Sequence, residues 1–109
     1  MLRIGVMVSG GGTNLQALLD SEARGENPNG KITLVVASKP GVFALEGAAK
    51  AGVEGVVVRR KDYATSEEFD AALLETLKSH NIDLVVLAGF LSVLGPSVIE
   101  AYPRRILNV

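Results

Sequence analysis

Leu2-Arg3-Ile4-Gly5-Val6-Met7-Val8-Ser9-Gly10-Gly11-Gly12-Thr13-Asn14 is the stretch whose reading decides the fold. Leu2 to Val8 is apolar enough to read as a buried strand, and Asn14-Leu15-Gln16-Ala17-Leu18-Leu19 reads as the start of a helix. A strand that ends in glycines and opens into a helix presents bare backbone N–H groups at the positive end of a helix dipole. That arrangement attracts an anion, usually phosphate. A side chain on these residues would hold the anion away from the amides. A second reading needs no ligand. Thr13 and Gln16 fit a capping box, in which Thr takes an N–H of the first turn and Gln reaches back. Phosphate binding is the preferred reading, because a turn rarely needs three consecutive glycines. The two can coexist, since capping uses only some of the free N–H groups.

The composition narrows the classes. A chain of 109 residues suits one domain and can bury a core. Hydrophobic residues make up 48% and charged residues 21%, which suits a parallel sheet buried on both faces. The net charge of −1 provides no field for nucleic acid or a membrane surface. The absence of cysteine excludes disulfides, thiolate catalysis and Cys-ligated metal. No apolar run approaches the ~20 residues of a membrane span. The first residues read as a strand and not as a signal peptide, so the cytoplasm is the expected compartment.

Strands and helices alternate along the rest of the chain. A helix is expected from about Asn14 to Arg24, with Leu15, Leu18 and Leu19 on one face. Gly25 to Gly30, with Asn27, Pro28 and Asn29, is turn chemistry. Lys31 to Ala37 is the second strand, broken by Ser38-Lys39-Pro40-Gly41. A short helix follows from Val42 to Ala51, with Gly52 as its stop, and Val53 to Val58 is the third strand. Arg59-Arg60-Lys61-Asp62-Tyr63 is a polar connection, read as a solvated loop in preference to an anion site. Thr65-Ser66-Glu67-Glu68 is a second capping box. It opens a helix with Phe69, Ala72, Leu73, Thr76 and Leu77 on one stripe. Ile82 to Ala88 is the fourth strand. Gly95-Pro96 starts a short helix that Pro103 stops, and Arg105 to Val109 is the fifth strand. This is βαβαβαβαβ, an α/β fold with a Rossmann-like parallel sheet, right-handed crossovers and helices on both faces.

In such sheets ligands sit beyond the carboxyl ends of the strands, where the strand order reverses. With the order 3-2-1-4-5, three segments share that crevice. They are the glycine loop, Ala88-Gly89-Phe90 after strand 4, and Asn108 at the end of strand 5. Strands 1 and 5 lie roughly 10 Å apart, about the reach of a ribose phosphate with a small substituent. A dinucleotide is disfavoured. Gly10 and Gly12 match G-x-G-x-x-G, but the third position is Leu15 and strand 2 ends in Ala37-Ser38 without an acid. No G-K-[ST] follows, so this is not an NTPase loop. Asn108 stands inside the apolar run Ile106 to Val109. It is either a strand-end Asn bonded to a neighbouring loop or an amide donor to a developing oxyanion. His80, the single histidine, ends the third helix, at the amino ends of the strands. A surface helix-end residue is the better reading for it, roughly 20 Å from the crevice. No carboxylate is placed beside it by the sequence.

Three blocks now resemble a known family. Ser9-Gly10-Gly11-Gly12-Thr13-Asn14-Leu15-Gln16, Asp83-Leu84-Val85-Val86-Leu87-Ala88-Gly89-Phe90 and Arg105-Ile106-Leu107-Asn108-Val109 are similar, in order, to the glycinamide ribonucleotide formyltransferase family. The resemblance implies formyl transfer from 10-formyltetrahydrofolate to the amine of 5-phosphoribosylglycinamide, in purine synthesis and without a metal. It implies that Gly12, Thr13 and Asn14 hold the substrate phosphate, with Gly89 beside the substrate. Leu91, Ser92, Val93 and Leu94 would line the folate pterin site, largely through backbone. Asn108 would contact the folate and stabilise the tetrahedral intermediate. The family often has Arg where this chain has Ser92, and some members have a folate-contacting Arg where it has Ser66.

In the family the Asn-Val pair runs into His-Pro-Ser, whose His transfers the proton, and a later Asp orients that His. The chain stops at Val109. The expectation is therefore an amino-terminal half, residues 1–109, that carries the phosphate loop and Asn108 but is inactive by itself. Strand 5 would then be an apolar edge open to self-association. The rival expectation is a non-catalytic sugar-phosphate or nucleotide-binding module of the same fold.

Overall fold

A computed structural model describes residues 1–9, 13–26, 29–40, 42–90 and 94–109, with Thr13 described by its backbone alone. Five strands form one sheet in the order β3-β2-β1-β4-β5, and every pairing is parallel. The strands are β1 (Leu2–Val8), β2 (Gly30–Ala37), β3 (Glu54–Val57), β4 (Leu84–Leu87) and β5 (Ile106–Asn108). The described helices are α1 (Thr13–Ala23), α2 (Phe43–Lys50), α3 (Ser66–Ser79) and α4 (Pro96–Ala101), with a 3₁₀ turn at Arg60–Asp62. The sheet order and alternation are those expected from the sequence.

Alternation along each strand splits the core into two layers. Ile4, Val6 and Val8 face Leu15 and Leu19 of α1 and Ala44 and Ala48 of α2. Met7, Val36 and Val85 face the other way, against Phe69, Leu73 and Leu77 of α3, Val98 of α4 and Tyr102 just after it. The central strand is therefore buried on both sides, which explains its unbroken apolar sequence.

Ladder boundaries fall inside the apolar runs. β4 pairs over Leu84–Leu87, yet Asp83 N donates to Arg3 O at 2.8 Å and Ala88 N to Met7 O at 2.9 Å. The extended backbone thus covers Asp83 to Ala88, close to the run read from the sequence. β1 and β2 slip register between Ile4 and Gly5. At that irregularity the Glu22 carboxylate of α1 accepts the Ile32 N–H at 2.7 Å.

The expected Thr65 cap of α3 is present. At α3, Thr65 Oγ1 accepts the Glu68 N–H at 3.1 Å, and Glu68 Oε2 accepts the Ala64 N–H at 3.2 Å. At α1, Gln16 Nε2 donates to Asp20 Oδ1 at 2.9 Å, one turn further on. The Thr13 side chain lies outside the described residues.

Candidate functional site

The register of the sheet sets the geometry at its carboxyl edge. Met7 pairs with Leu87, and Leu87 pairs with Asn108. These residues form one row across β1, β4 and β5, and the bond from Val109 N to Leu87 O at 3.0 Å continues it. Two strand spacings, about 10 Å, separate Asn108 from β1. Residues in register share a face. Met7 belongs to the α3–α4 core and Leu87 packs against it, so Asn108 stands on that side of the sheet. Its side chain is exposed, and no hydrogen bond ties it to another described residue. The strand-end bond to a neighbouring loop is not seen among the described residues.

The chain leaves both inner strands at this edge. Ser9 follows β1, is 3% exposed, and accepts a hydrogen bond from Ser38 Oγ at 2.9 Å at the end of β2. Asn14 is exposed in the first turn of α1, at the same edge. Gly89 follows β4 with φ of +67° and nothing near its missing Cβ. A left-handed backbone of this kind favours glycine, and here it turns the chain out of the sheet. Gly10, Gly11 and Gly12, and Leu91, Ser92 and Val93, lie outside the described residues. Leu94 is half-buried and packs, with Phe90, against the α3–α4 core.

One residue that sequence reading passed over closes this region. Asp70 on α3 is 2% exposed. Its Oδ1 accepts the Gly95 N–H at 2.9 Å and its Oδ2 accepts the Ser97 N–H at 2.8 Å. Gly95 is the N-cap of α4 and has no side chain with which to cap it. Asp70 therefore caps α4 from a different helix. Its position beside Phe69 in the stripe was the available signal, but capping across helices leaves no fixed spacing to find.

His80 is at the amino ends of the strands, as expected, where it ends α3. It also has a carboxylate partner, which the sequence did not disclose. Its Nε2 donates to Glu54 Oε2 at 2.9 Å and its Nδ1 to the Thr76 carbonyl at 2.8 Å. Both partners are acceptors, so the imidazolium satisfies both bonds. The His80 pKa is raised above its ordinary value, first by the bond to Glu54 and next by that to Thr76. Arg3 opposes this by charge while its guanidinium donates to the His80 carbonyl at 3.0 Å. This cluster ties strand ends together opposite the crevice.

Other features carry no chemistry at the crevice. Arg59 lies 4.0 Å from Asp62, and Arg60 Nη1 donates to the Tyr63 carbonyl at 3.1 Å, as a solvated connection would. No cluster of His, Asp or Glu among the described residues is built to hold a metal. No described helix is long and apolar enough to cross a membrane. A concavity of about 500 Å³ lies at the amino ends, between Met1, Leu19 and Lys31, away from the crevice. A second, of about 350 Å³, is an apolar groove between Leu18 of α1 and Val6, Leu84, Val86, Leu107 and Val109 on the open face of the sheet.

The family model described as formyl transferase matches residues 2–109. The chain belongs to the formyl transferase family. It is 42% identical over 108 residues to the trifunctional purine biosynthetic protein adenosine-3 of Chironomus tentans, covering 98% of this chain and 8% of that protein. It is 36% identical over 109 residues to the phosphoribosylglycinamide formyltransferase of Haemophilus influenzae, covering 100% of this chain and 51% of that protein. The crystal structure of glycinamide ribonucleotide transformylase 1 from Symbiobacterium toebii superposes with a TM-score of 0.94 at 42% identity. The match covers 99% of this chain and 50% of that one. The chain thus spans about half the length of its bacterial relatives in the family and a small part of the trifunctional proteins.

Proposed function

We propose that these residues form the substrate-phosphate half of an enzyme that moves a formyl group from 10-formyltetrahydrofolate to the amine of 5-phosphoribosylglycinamide, in cytoplasmic purine synthesis. The observation that carries the reading is the unbroken match of residues 2–109 to the formyl transferase family. It coincides with a row that brings Met7, Leu87 and Asn108 to one edge.

In this reading Gly12, Thr13 and Asn14 hold the phosphate at the start of α1, where free N–H groups meet the helix dipole. Gly89 lets the substrate approach the backbone. Leu91 to Leu94 line the folate, in large part by backbone groups, which Ser92 leaves intact where relatives carry Arg. The substrate amine attacks the formyl carbon, the carbonyl oxygen takes the negative charge, and the bond from that carbon to the folate nitrogen breaks. The Asn108 amide donates to that oxygen. The single histidine of the sequence is His80, which is bound to Glu54 at the opposite end of the sheet. The proton-transfer group therefore comes from outside residues 1–109, and these residues alone bind without turning over. We place the remaining part of the relatives' length, as carboxyl-terminal polypeptide, over the apolar groove and the β5 edge.

Formyl transfer by the full-length polypeptide bearing residues 1–109 tests the reading. Removing one oxyanion donor typically costs about 10²–10³ in kcat, and Asn108→Ala is expected to fall in that range with binding of 5-phosphoribosylglycinamide kept. Wild type without transfer would defeat the reading in favour of a binding module, and an Asn108→Ala variant of full activity would remove the role given to Asn108.

A further inference from the structure

The segment that leaves β4 is held at two described points. At its start, Ala88 N donates to Met7 O at 2.9 Å and Gly89 turns out of the sheet with φ of +67°. At its end, Gly95 and Ser97 donate to the two carboxylate oxygens of Asp70 at 2.9 and 2.8 Å. Nothing on α4 itself supplies the second anchor, since its N-cap is Gly95 and Pro96 begins the helix without an N–H. The fit is close. A Cβ built on Gly95 would stand 2.7 Å from the Asp70 carboxylate, so the backbone approaches only because residue 95 has no side chain. Asp70 is itself fixed. It is 2% exposed and rides on α3 between Phe69 and Leu73, which are 1% and 0% exposed in the core. A rigid helix thus sets where the segment from Gly89 to Gly95 ends.

We propose that Asp70 is a positioning residue for the formyl donor: by holding Gly95 and Ser97 it fixes the carboxyl end of the segment that carries Leu91 to Leu94. This rests on the formyl-transfer reading, which assigns that segment to the folate. The ribotide phosphate is assigned to a different element, the start of α1. Disturbing Asp70 therefore weakens the donor and spares the ribotide, whereas a general loss of structure affects both.

Asp70→Asn keeps the shape but turns one accepting oxygen into an NH₂ that confronts a backbone N–H. The test uses the full-length polypeptide and steady-state kinetics with both substrates varied. The expected result is a KM for 10-formyltetrahydrofolate raised about tenfold, with kcat and the KM for 5-phosphoribosylglycinamide within about twofold of wild type. Ile82→Val, with its loss of melting temperature compared, is the control for destabilisation and is expected to leave both KM values unchanged. Gly95→Ala is the second variant. It keeps the carboxylate and displaces it sterically, at a backbone conformation (φ −92°, ψ 179°) that alanine adopts freely, and it carries the same expectation. An unchanged donor KM in an active Asp70→Asn or Gly95→Ala enzyme overturns the inference, as does an equal rise for both substrates. A wild type that transfers no formyl group overturns the functional reading, and the inference with it.

Discussion

At the scale of single residues, two carboxylates do work that opposite ends of the molecule require. Asp70 stands at the crevice end and Glu54 at the amino end, where it accepts from His80 at 2.9 Å. The second pair makes stability depend on pH. The His80 pKa is raised in the folded chain, chiefly by the Glu54 bond, while in the unfolded chain it returns to about 6.5. The stabilisation is then complete below about pH 6.5 and is lost as pH rises through the higher folded value. Urea midpoints of wild type and His80→Gln, measured from pH 5.5 to 9, are expected to converge as pH rises. A constant gap would mean that His80 does not titrate with folding. Residue-level reading of the sequence placed His80 correctly, because a helix end before a strand fixes which edge it occupies. It missed Glu54 and Asp70, because partners 26 residues apart for His80 and 25 residues apart for Asp70 and Gly95 leave no local pattern.

At the scale of elements, periodicity carried most of what could be read. Strand alternation and the stripe of Phe69, Leu73 and Leu77 follow from burial, which the sequence records directly. Hydrogen bonds at helix ends are less predictable. The Thr65 hydroxyl caps α3 as expected, but Glu68 returns to the N–H of Ala64 and not to that of the cap residue, while Gln16 bonds Asp20. β5 poses the sharpest element-level question. It is an edge strand with Leu107 51% exposed, and its open face continues into the groove with Val86 and Leu84. An apolar parallel edge of this kind pairs with other chains when nothing covers it. Residues 1–109 alone are expected to sediment as dimers or larger species at micromolar concentration, and Leu107→Lys is expected to shift them towards monomer. A wild-type fragment that stays monomeric across that range would remove the edge from the account.

At the scale of the whole molecule, the topology was legible because alternation of strand and helix leaves few parallel arrangements. The order β3-β2-β1-β4-β5 then dictates one crevice, at the carboxyl ends of β1 and β4. The register adds that Asn108 stands level with Met7, so a ligand held after β1 reaches it across about two strand spacings. What sequence logic by residue type could not supply was the choice of ligand. Glycines before a helix suit anions in general, and only similarity along residues 2–109 specifies a formyl transferase. We propose that the loop from Gly10 to Asn14 holds the phosphate of 5-phosphoribosylglycinamide. Isothermal titration of that compound into wild type and Gly12→Val tests it most directly. Saturable binding to wild type, abolished in a Gly12→Val protein of unchanged circular dichroism, is the predicted result, and equal binding to both, or none to wild type, would contradict it.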